Sequence, residues 1–116
     1  MPRGSRTFEL TTWERVSLVK ALGELQGNLA TLRCAGKALD ALELSEDERA
    51  MVRFQTITTP QGGAFHQWLD QAHTFTVEIA DPDAAAMVVQ YAARYEGWCV
   101  ADLERVEALL EKLRDE

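Results

Sequence analysis

The 116-residue chain is 47% hydrophobic and 27% charged, which is the composition of one globular domain rather than of a disordered or fibrous protein. It contains no apolar run near the roughly 18 residues of a membrane span and no recognisable secretory leader, so we expect a cytoplasmic protein with no membrane partner. The net charge of −7 repels phosphate backbones and disfavours nucleic acid as a partner.

The negative charge is concentrated in one part of the chain. Residues 1–69 contain 8 acidic and 8 basic residues, whereas residues 70–116 contain 11 acidic and 4 basic ones. An acidic surface favours solubility or attracts a basic partner surface, and the sequence leaves both interpretations open.

The first residues of the chain resemble an expression tag, and the two cysteines indicate the redox state. Residues 2–5 read PRGS, which is typical of a protease-cleavable tag joint. We therefore set residues 1–5 apart as an expression-tag remnant and predict that residues 6–116 form a single compact domain. Cys34 and Cys99 lie in helical patterns without the spacing of metal ligands, which predicts buried, reduced thiols.

The first elements are a short extended lead-in over residues 8–10 and a helix over residues 12–25. Thr11 and Glu14 form a Thr-x-x-Glu capping box, in which each side chain binds a free amide at the start of the helix. Apolar residues recur at helical spacing and are expected to face the core, with Glu14 and Arg15 outside. These predicted inward residues are Trp13, Val16, Val19 and Leu22.

A second helix is predicted over residues 29–42, with two rows of residues facing inward. One row is apolar, and the other consists of small residues that let another helix approach closely. The apolar row is Leu29, Leu32, Ala35, Leu39 and Leu42, and the small row is Ala30, Cys34, Ala38 and Ala41. Gly36 is tolerable in this helix if such a close contact exists. A capping box of Ser45 and Glu48 then opens a short helix through Met51.

The middle of the chain alternates apolar and polar residues, as strands require. We predict strands over residues 52–58 and 74–79, with a turn at residues 59–63 and a return through residues 65–69. The economical arrangement is one small antiparallel sheet of two or three strands that helices cover on one face.

The next helix has the clearest start signal in the chain. Asp81 supplies a capping oxygen, and Pro82 suits the first helical position. The apolar band of this helix is wider than a one-sided surface helix needs, and Gly97 is expected to end it. Trp98 is placed to fold back on it, and a leucine-rich last helix follows from about Asp102. The elements predict a mostly helical α+β fold with about four to five helices and a small two- or three-stranded antiparallel sheet.

Taken in order, these signals resemble those of short uncharacterised proteins encoded by phages and prophages. The resemblance rests on ELTTWERVSLVKAL, LQGNLATLRCAGKALDAL, LSEDE, Trp68, FTVEI and the closing leucine-rich helix, and it spans about residues 8–113. It implies origin in a phage or an integrated element and action inside a bacterial host cell. It implies no activity and no catalytic residue.

The sequence contains no motif that predicts catalysis. His66 and His73, with Asp70 between them, have no fixed geometry for a metal. No Gly-x-Ser-x-Gly elbow occurs, and residues 62–63 lack the lysine of a phosphate-binding loop. We therefore expect a protein that is not an enzyme and that has no catalytic residues, no metal and no cofactor.

The aromatic and methionine content instead favours protein association. We expect a homodimer through the last two helices, or docking on a basic surface of a bacterial host protein. The candidate interface residues are Met87, Val88, Tyr91 and Tyr95. The alternative is a winged helix-turn-helix transcriptional regulator whose second helix enters the major groove, with Arg33 and Lys37 as its DNA contacts.

Overall fold

The computed structural model describes residues 6–69 and 73–114, so the predicted tag remnant at residues 1–5 and the candidate residue Asp70 lie outside the described residues. Within them the chain forms four strands and five α-helices, which confirms the mostly helical α+β fold class. The elements are β1 (Arg6–Thr11), α1 (Thr12–Gly23), α2 (Leu29–Leu42), α3 (Glu46–Val52), β2 (Gln55–Thr58), β3 (Ala64–Gln67), β4 (Thr74–Ile79), α4 (Pro82–Arg94) and α5 (Leu103–Arg114), with a short 3-10 turn at Val100–Asp102.

The strands form two separate antiparallel pairs, and the prediction of a single sheet is wrong. β1 pairs with β4, so that Phe8 lies opposite Val77 and Leu10 lies opposite Phe75. β2 and β3 form a hairpin of their own. The lead-in at residues 8–10 is therefore part of a full strand. Its partner follows more than sixty residues later, so no local signal in the sequence shows the pairing.

The core lies between the β1–β4 pair and the helices α1, α2, α4 and α5. Side chains alternate along both strands, so one face of this pair is apolar and buried while the other is polar. On the polar face the Thr76 hydroxyl donates a hydrogen bond to Glu9 at 2.7 Å. The largest fully buried apolar side chains are Leu10, Leu18, Leu42, Ile79, Leu109, Leu113, Val52 and Val88.

The buried face of α1 differs from the predicted one, and the predicted face of α2 is buried along only part of the helix. In α1, Glu14 and Arg15 are only 4% and 2% exposed. The predicted inward residues Trp13, Val16 and Val19 are half-buried. In α2, Leu29 and Leu32 are 61% and 44% exposed. The buried residues of α2 are Ala35, Ala38 and Leu42, so this helix is covered along its C-terminal half and its first turns extend into solvent.

Arg15 is buried because it closes the C-terminal end of α2. Its guanidinium donates to the carbonyl oxygens of Leu42 at 2.8 Å and Glu43 at 2.7 Å, and to the Glu48 carboxylate at 2.8 Å. The last carbonyls of a helix have no partner within it, so Arg15 supplies the missing donors. Burial alone would raise the pKa of Glu48, but hydrogen bonds from Arg15 and from the Ser45 amide hold that pKa below its ordinary value.

Glu14 connects the two ends of the described chain. Its Oε1 accepts a hydrogen bond from the Thr11 amide at 2.8 Å, which completes the predicted capping box of α1. The same oxygen accepts one from Lys112 Nζ of α5 at 2.7 Å. Glu14, which the apolar spacing of the first helix predicts to lie outside the core, therefore joins α1 to α5.

The C-terminal end of α4 differs from the prediction. The helix ends at Arg94, three residues before Gly97, and Gly97 lacks the positive φ of a glycine helix stop. Trp98 does fold back on α4, as predicted: its Nε1 donates to the Ala92 carbonyl oxygen at 3.1 Å.

We expect opposite effects of alanine at two glycines. A Cβ at Gly97 would overlap the Tyr95 ring, so Gly97→Ala should displace that ring from Trp98 and lower the free energy of unfolding by about 0.5–1.5 kcal/mol, the value of one aromatic pair. No atom of another element lies within 4 Å of a Cβ built at Gly36, so the close contact suggested by the sequence is absent there. Gly36→Ala should therefore raise the free energy of unfolding by about 0.5–1 kcal/mol. Urea denaturation measures the free energy of unfolding of both variants. A change of the same sign in the two would contradict the different surroundings described for Gly97 and Gly36.

Candidate functional site

The start of α4 is fixed by polar contacts. Asp81 Oδ1 accepts hydrogen bonds from the amides of Asp83 and Ala84 at 2.8 and 3.1 Å, as its capping role predicts. Asp81 Oδ2 accepts one from Lys37 Nζ of α2 at 2.9 Å. The hydrogen bond from Lys37, followed by that from the Ala84 amide, holds the pKa of Asp81 below its ordinary value. These contacts set α4 beside α2.

The inner side of α4 is part of the core. Its fully buried residues are Ala84, Ala85, Val88 and Ala92. The small side chains let α4 approach its neighbours closely. Val88 is only 1% exposed, so its place among the candidate interface residues is wrong. Successive residues of a helix are rotated by about 100°, so Val88 points inward while the adjacent Met87 lies on a flank.

A groove of about 670 Å³ lies between α2 and α4, and we call it the α2–α4 groove. From α4 it is lined by Asp83, Ala86, Met87, Gln90, Tyr91 and Arg94. The other side consists of Leu25, Gln26, Thr31 and Cys34. Two of the four predicted interface residues, Met87 and Tyr91, therefore lie in one groove, and both are half-buried.

Tyr95 does not line this groove. It follows the last residue of α4, where its ring lies 5.9 Å from the Tyr91 ring and 5.0 Å from the Trp98 ring. Burial, together with a hydrogen bond to Glu24, raises the pKa of the Tyr95 phenol. Tyr95 thus packs the end of α4 against the Trp98 segment. Its contact with Tyr91 connects these aromatic rings to the α2–α4 groove.

A second groove, of about 530 Å³, lies on the other flank of α4, against α5. It is lined by Val89, Gln90, Ala93, Glu107, Leu110, Glu111 and Arg114. Gln90 belongs to both grooves and is exposed. The outer side of α4 is therefore a ridge with a groove along each flank.

This ridge has an acidic residue near its start, Asp83, and a basic residue at its end, Arg94. Asp83 and Arg94 are exposed and lie eleven residues apart, which is about three helical turns, so they share one side of α4. Arg94 Nε donates to the Gln90 carbonyl oxygen at 3.4 Å, and no ion pair within the described residues involves Asp83 or Arg94. The sequence analysis does not predict this pair, although its spacing of eleven residues is visible in the sequence.

The two cysteines lie in different environments. Cys34 is half-buried in the α2–α4 groove, where burial and then the carboxylates of Asp81 and Asp83 raise the pKa of its thiol. The thiolate is thereby disfavoured. Cys99 is exposed, so the prediction that it is buried is wrong, and both cysteines are free thiols.

The predicted DNA-contact residues Arg33 and Lys37 lie one turn apart on α2, and both are exposed. The hydrogen bond to Asp81 occupies Lys37 and raises its pKa. The predicted wing exists as the β2–β3 hairpin, but it directly follows α3. The first turn of α3 contains Glu46, Asp47 and Glu48. These acidic residues precede the hairpin in the chain, and negative charge disfavours contact with phosphates.

The histidines make structural contacts. His66 Nδ1 lies 2.9 Å from Thr56 Oγ1, and the His73 ring packs edge-on against Phe75. Across residues 6–69 and 73–114, no group of three or more His, Cys, Asp or Glu side chains is arranged to hold a metal ion. In the same residues, no helix has the length and apolar character needed to cross a membrane.

Comparison of the chain with protein-family models, curated proteins and solved structures finds no match. The resemblance to short phage-encoded proteins therefore stays a prediction, and any functional argument depends on the α4 ridge and its two grooves.

Proposed function

We propose that this protein acts by binding protein rather than by catalysis, and that its first partner is a second copy of itself, bound at the α4 ridge and the α2–α4 groove. The observation that carries this proposal is the placement of opposite charges, Asp83 and Arg94, at the two ends of one exposed helix face. A surface of this kind is self-complementary, which a two-fold dimer requires.

The register of such a dimer follows from the positions of these residues. When two α4 helices pack antiparallel about a two-fold axis, pairing Asp83 with the partner's Arg94 also places Met87 against the partner's Gln90. Each pair occurs twice, once on either side of the axis. A parallel arrangement would instead set like charges against each other, which is destabilising. Charge therefore selects the antiparallel arrangement.

The shape of the α4 face fits this arrangement. α4 has 13 residues and is about 20 Å long. Ala86 and Ala93 on the ridge are small, so a second helix can approach closely. The α2–α4 groove offers Leu25, Met87 and Tyr91 as apolar surface that the partner helix would cover. Aromatic and methionine side chains at the centre, with charges at the rim, are the usual composition of a protein interface.

Charge exchange at the two ends tests the proposal. Asp83→Lys and Arg94→Glu each set two like-charge pairs in the dimer, so each should weaken dimerisation by about 100-fold or more. The double variant restores opposite charges and should recover most of the loss. Arg33→Glu, which makes the same charge change on α2 outside the groove, is the matched control and should leave dimerisation unchanged. Sedimentation velocity over a concentration series measures all four variants.

Two results would overturn the proposed dimer. One is a wild-type mass of a single chain at the highest accessible concentration. The other is a double variant that dissociates as readily as either single variant. Circular dichroism of each variant distinguishes dissociation from unfolding. This control is needed because Asp83→Lys also places a cation at the start of α4, which costs about 0.3–1 kcal/mol.

The wider biological setting is part of the same proposal. Docking on a basic surface of a bacterial host protein, in the cytoplasm of that host and as the product of a phage or prophage, is supported by the net charge of −7 and by the sequence resemblance. The DNA-binding alternative is supported by the β2–β3 hairpin and the exposed Arg33, but the negative net charge and the pairing of Lys37 with Asp81 oppose it. Alanine at Arg33 and Lys37 with a DNA-binding assay would test it.

A further inference from the structure

A cavity separate from the α4 grooves lies between α1 and the β2–β3 hairpin. Its volume is about 350 Å³, which falls within the range of about 300–1,000 Å³ that small-molecule sites occupy. Val16 and Val19 of α1 lie on one side, and Phe54 and His66 lie on the hairpin side. It shares no lining residue with either α4 groove.

Two aromatic rings, those of Phe54 and His66, line the hairpin side of this cavity. Phe54 stacks between His66, at a centroid distance of 5.1 Å, and Trp68, at 5.9 Å. The His66 ring is further oriented by Thr56, whose Oγ1 lies 2.9 Å from Nδ1. Facing the flat rings, the valines of α1 provide an apolar surface. A planar ring can stack on aromatic side chains, and the valines add apolar contact.

Two cations lie at the same cavity. Lys20 and Arg49 both line it, and no ion pair within the described residues uses either of them. The Arg49 guanidinium lies 5.3 Å from the centre of the Phe54 ring. Arg15 also lines the cavity, but its charge is paired with Glu48. Glu43 is the acidic residue of the lining, so the cations exceed the acids there although the whole chain is strongly acidic.

We propose that this cavity binds a small planar aromatic carboxylate. The ring lies between the valines of α1 and His66, and the carboxylate binds Lys20 and Arg49. Charge-assisted hydrogen bonds from lysine and arginine are strong ones, and apolar walls with a few convergent polar groups are typical of ligand sites. The ligand also covers one face of a two-stranded hairpin, which is marginally stable in water by itself. This site is independent of the proposed dimer.

Binding of naphthalene-2-carboxylate, compared with the neutral naphthalene-2-carboxamide, tests the proposal. The two probes have nearly the same shape and differ in charge, so the carboxylate should bind about tenfold more tightly or better. In ¹⁵N-resolved NMR titrations, the amides of Val16, Val19, Thr56 and His66 should shift. Amide hydrogen exchange in β2 and β3 should slow when the carboxylate is bound, because the ligand then covers one face of a hairpin that is otherwise exposed.

Charge removal at the cavity provides the second measurement. In a Lys20→Gln/Arg49→Gln variant, the carboxylate should bind no better than the carboxamide. An Arg33→Gln/Arg114→Gln variant loses the same charge outside the cavity and should keep the wild-type preference. Equal binding of the two probes to the wild type, shifts centred on α4, or no binding of the carboxylate at millimolar concentration would each overturn the proposal. A folded Lys20→Gln/Arg49→Gln variant with unchanged carboxylate affinity would do the same.

Discussion

Replacing Arg15 by methionine is expected to lower the free energy of unfolding by about 3–5 kcal/mol, the usual cost of removing one partner from a buried ion pair. Methionine fills similar space but leaves the carbonyl oxygens of Leu42 and Glu43 without their donor. It also leaves the partly buried Glu48 carboxylate without its cation. Chemical denaturation at neutral pH measures the effect, and Arg33→Met on the exposed side of α2 is the matched control, expected to change stability by less than about 0.5 kcal/mol.

The Arg15→Met effect should depend on pH. Because the pKa of Glu48 lies below its ordinary value of 4.5 in the folded protein, Glu48 contributes stability that is present above that value. The contribution is lost as the pH falls through the lowered folded-state pKa. The difference between wild type and Arg15→Met should therefore be largest near neutral pH and shrink in acid. A difference that stays constant from pH 7 to strong acid would show that the Arg15–Glu48 pair does not carry the effect.

Replacing Val88 by aspartate is expected to unfold the protein rather than to separate a dimer. Val88 is 1% exposed, and an unpaired charge in the core costs about 4 kcal/mol or more, a large share of the stability of a small domain. Gln90→Asp, two residues further along the exposed ridge, is the control and should cost less than about 1 kcal/mol. Circular dichroism and thermal denaturation distinguish the two. A folded Val88→Asp monomer with the wild-type melting temperature would show that Val88 is a surface residue after all.

Helix starts could be read from the sequence because their signals are local. The capping boxes at Thr11 and Ser45 and the cap at Asp81 all form as predicted, and the predicted bounds of the second helix match α2. A cap satisfies backbone amides within three residues, so it depends little on the rest of the fold.

The inward face of a helix could be predicted less completely, as α1 shows. Apolar spacing predicts which residues can be buried, but the neighbouring elements decide which of them are. Arg15 is buried because the end of α2 happens to lie beside it, and Leu29 is exposed because α2 extends past its neighbours. The β1–β4 pairing and the separation of the β2–β3 hairpin are likewise long-range features. No window of adjacent residues contains them.

The candidate interface residues likewise include some that residue type predicts correctly and one whose place depends on packing. Met87 and Tyr91 were found from their residue type and do lie in the α2–α4 groove. Val88 has the same apolar character but faces inward, and only the packing of α4 shows this. The Asp83 and Arg94 pair could have been found in the sequence, because their spacing of three turns is visible there. The aromatic cavity could not, since α1 and the hairpin come together only in the folded chain.

The pairing of β1 with β4 sets the order in which this protein can fold on the ribosome. The partner strand of Phe8 and Leu10, residues 74–79, is completed about seventy residues after them. At roughly 5–20 residues per second, that interval lasts several seconds. α1 and α2 can form during this time, but β1 has no partner strand. The nascent chain therefore presents β1 as an unpaired hydrophobic strand that chaperones can bind until β4 emerges.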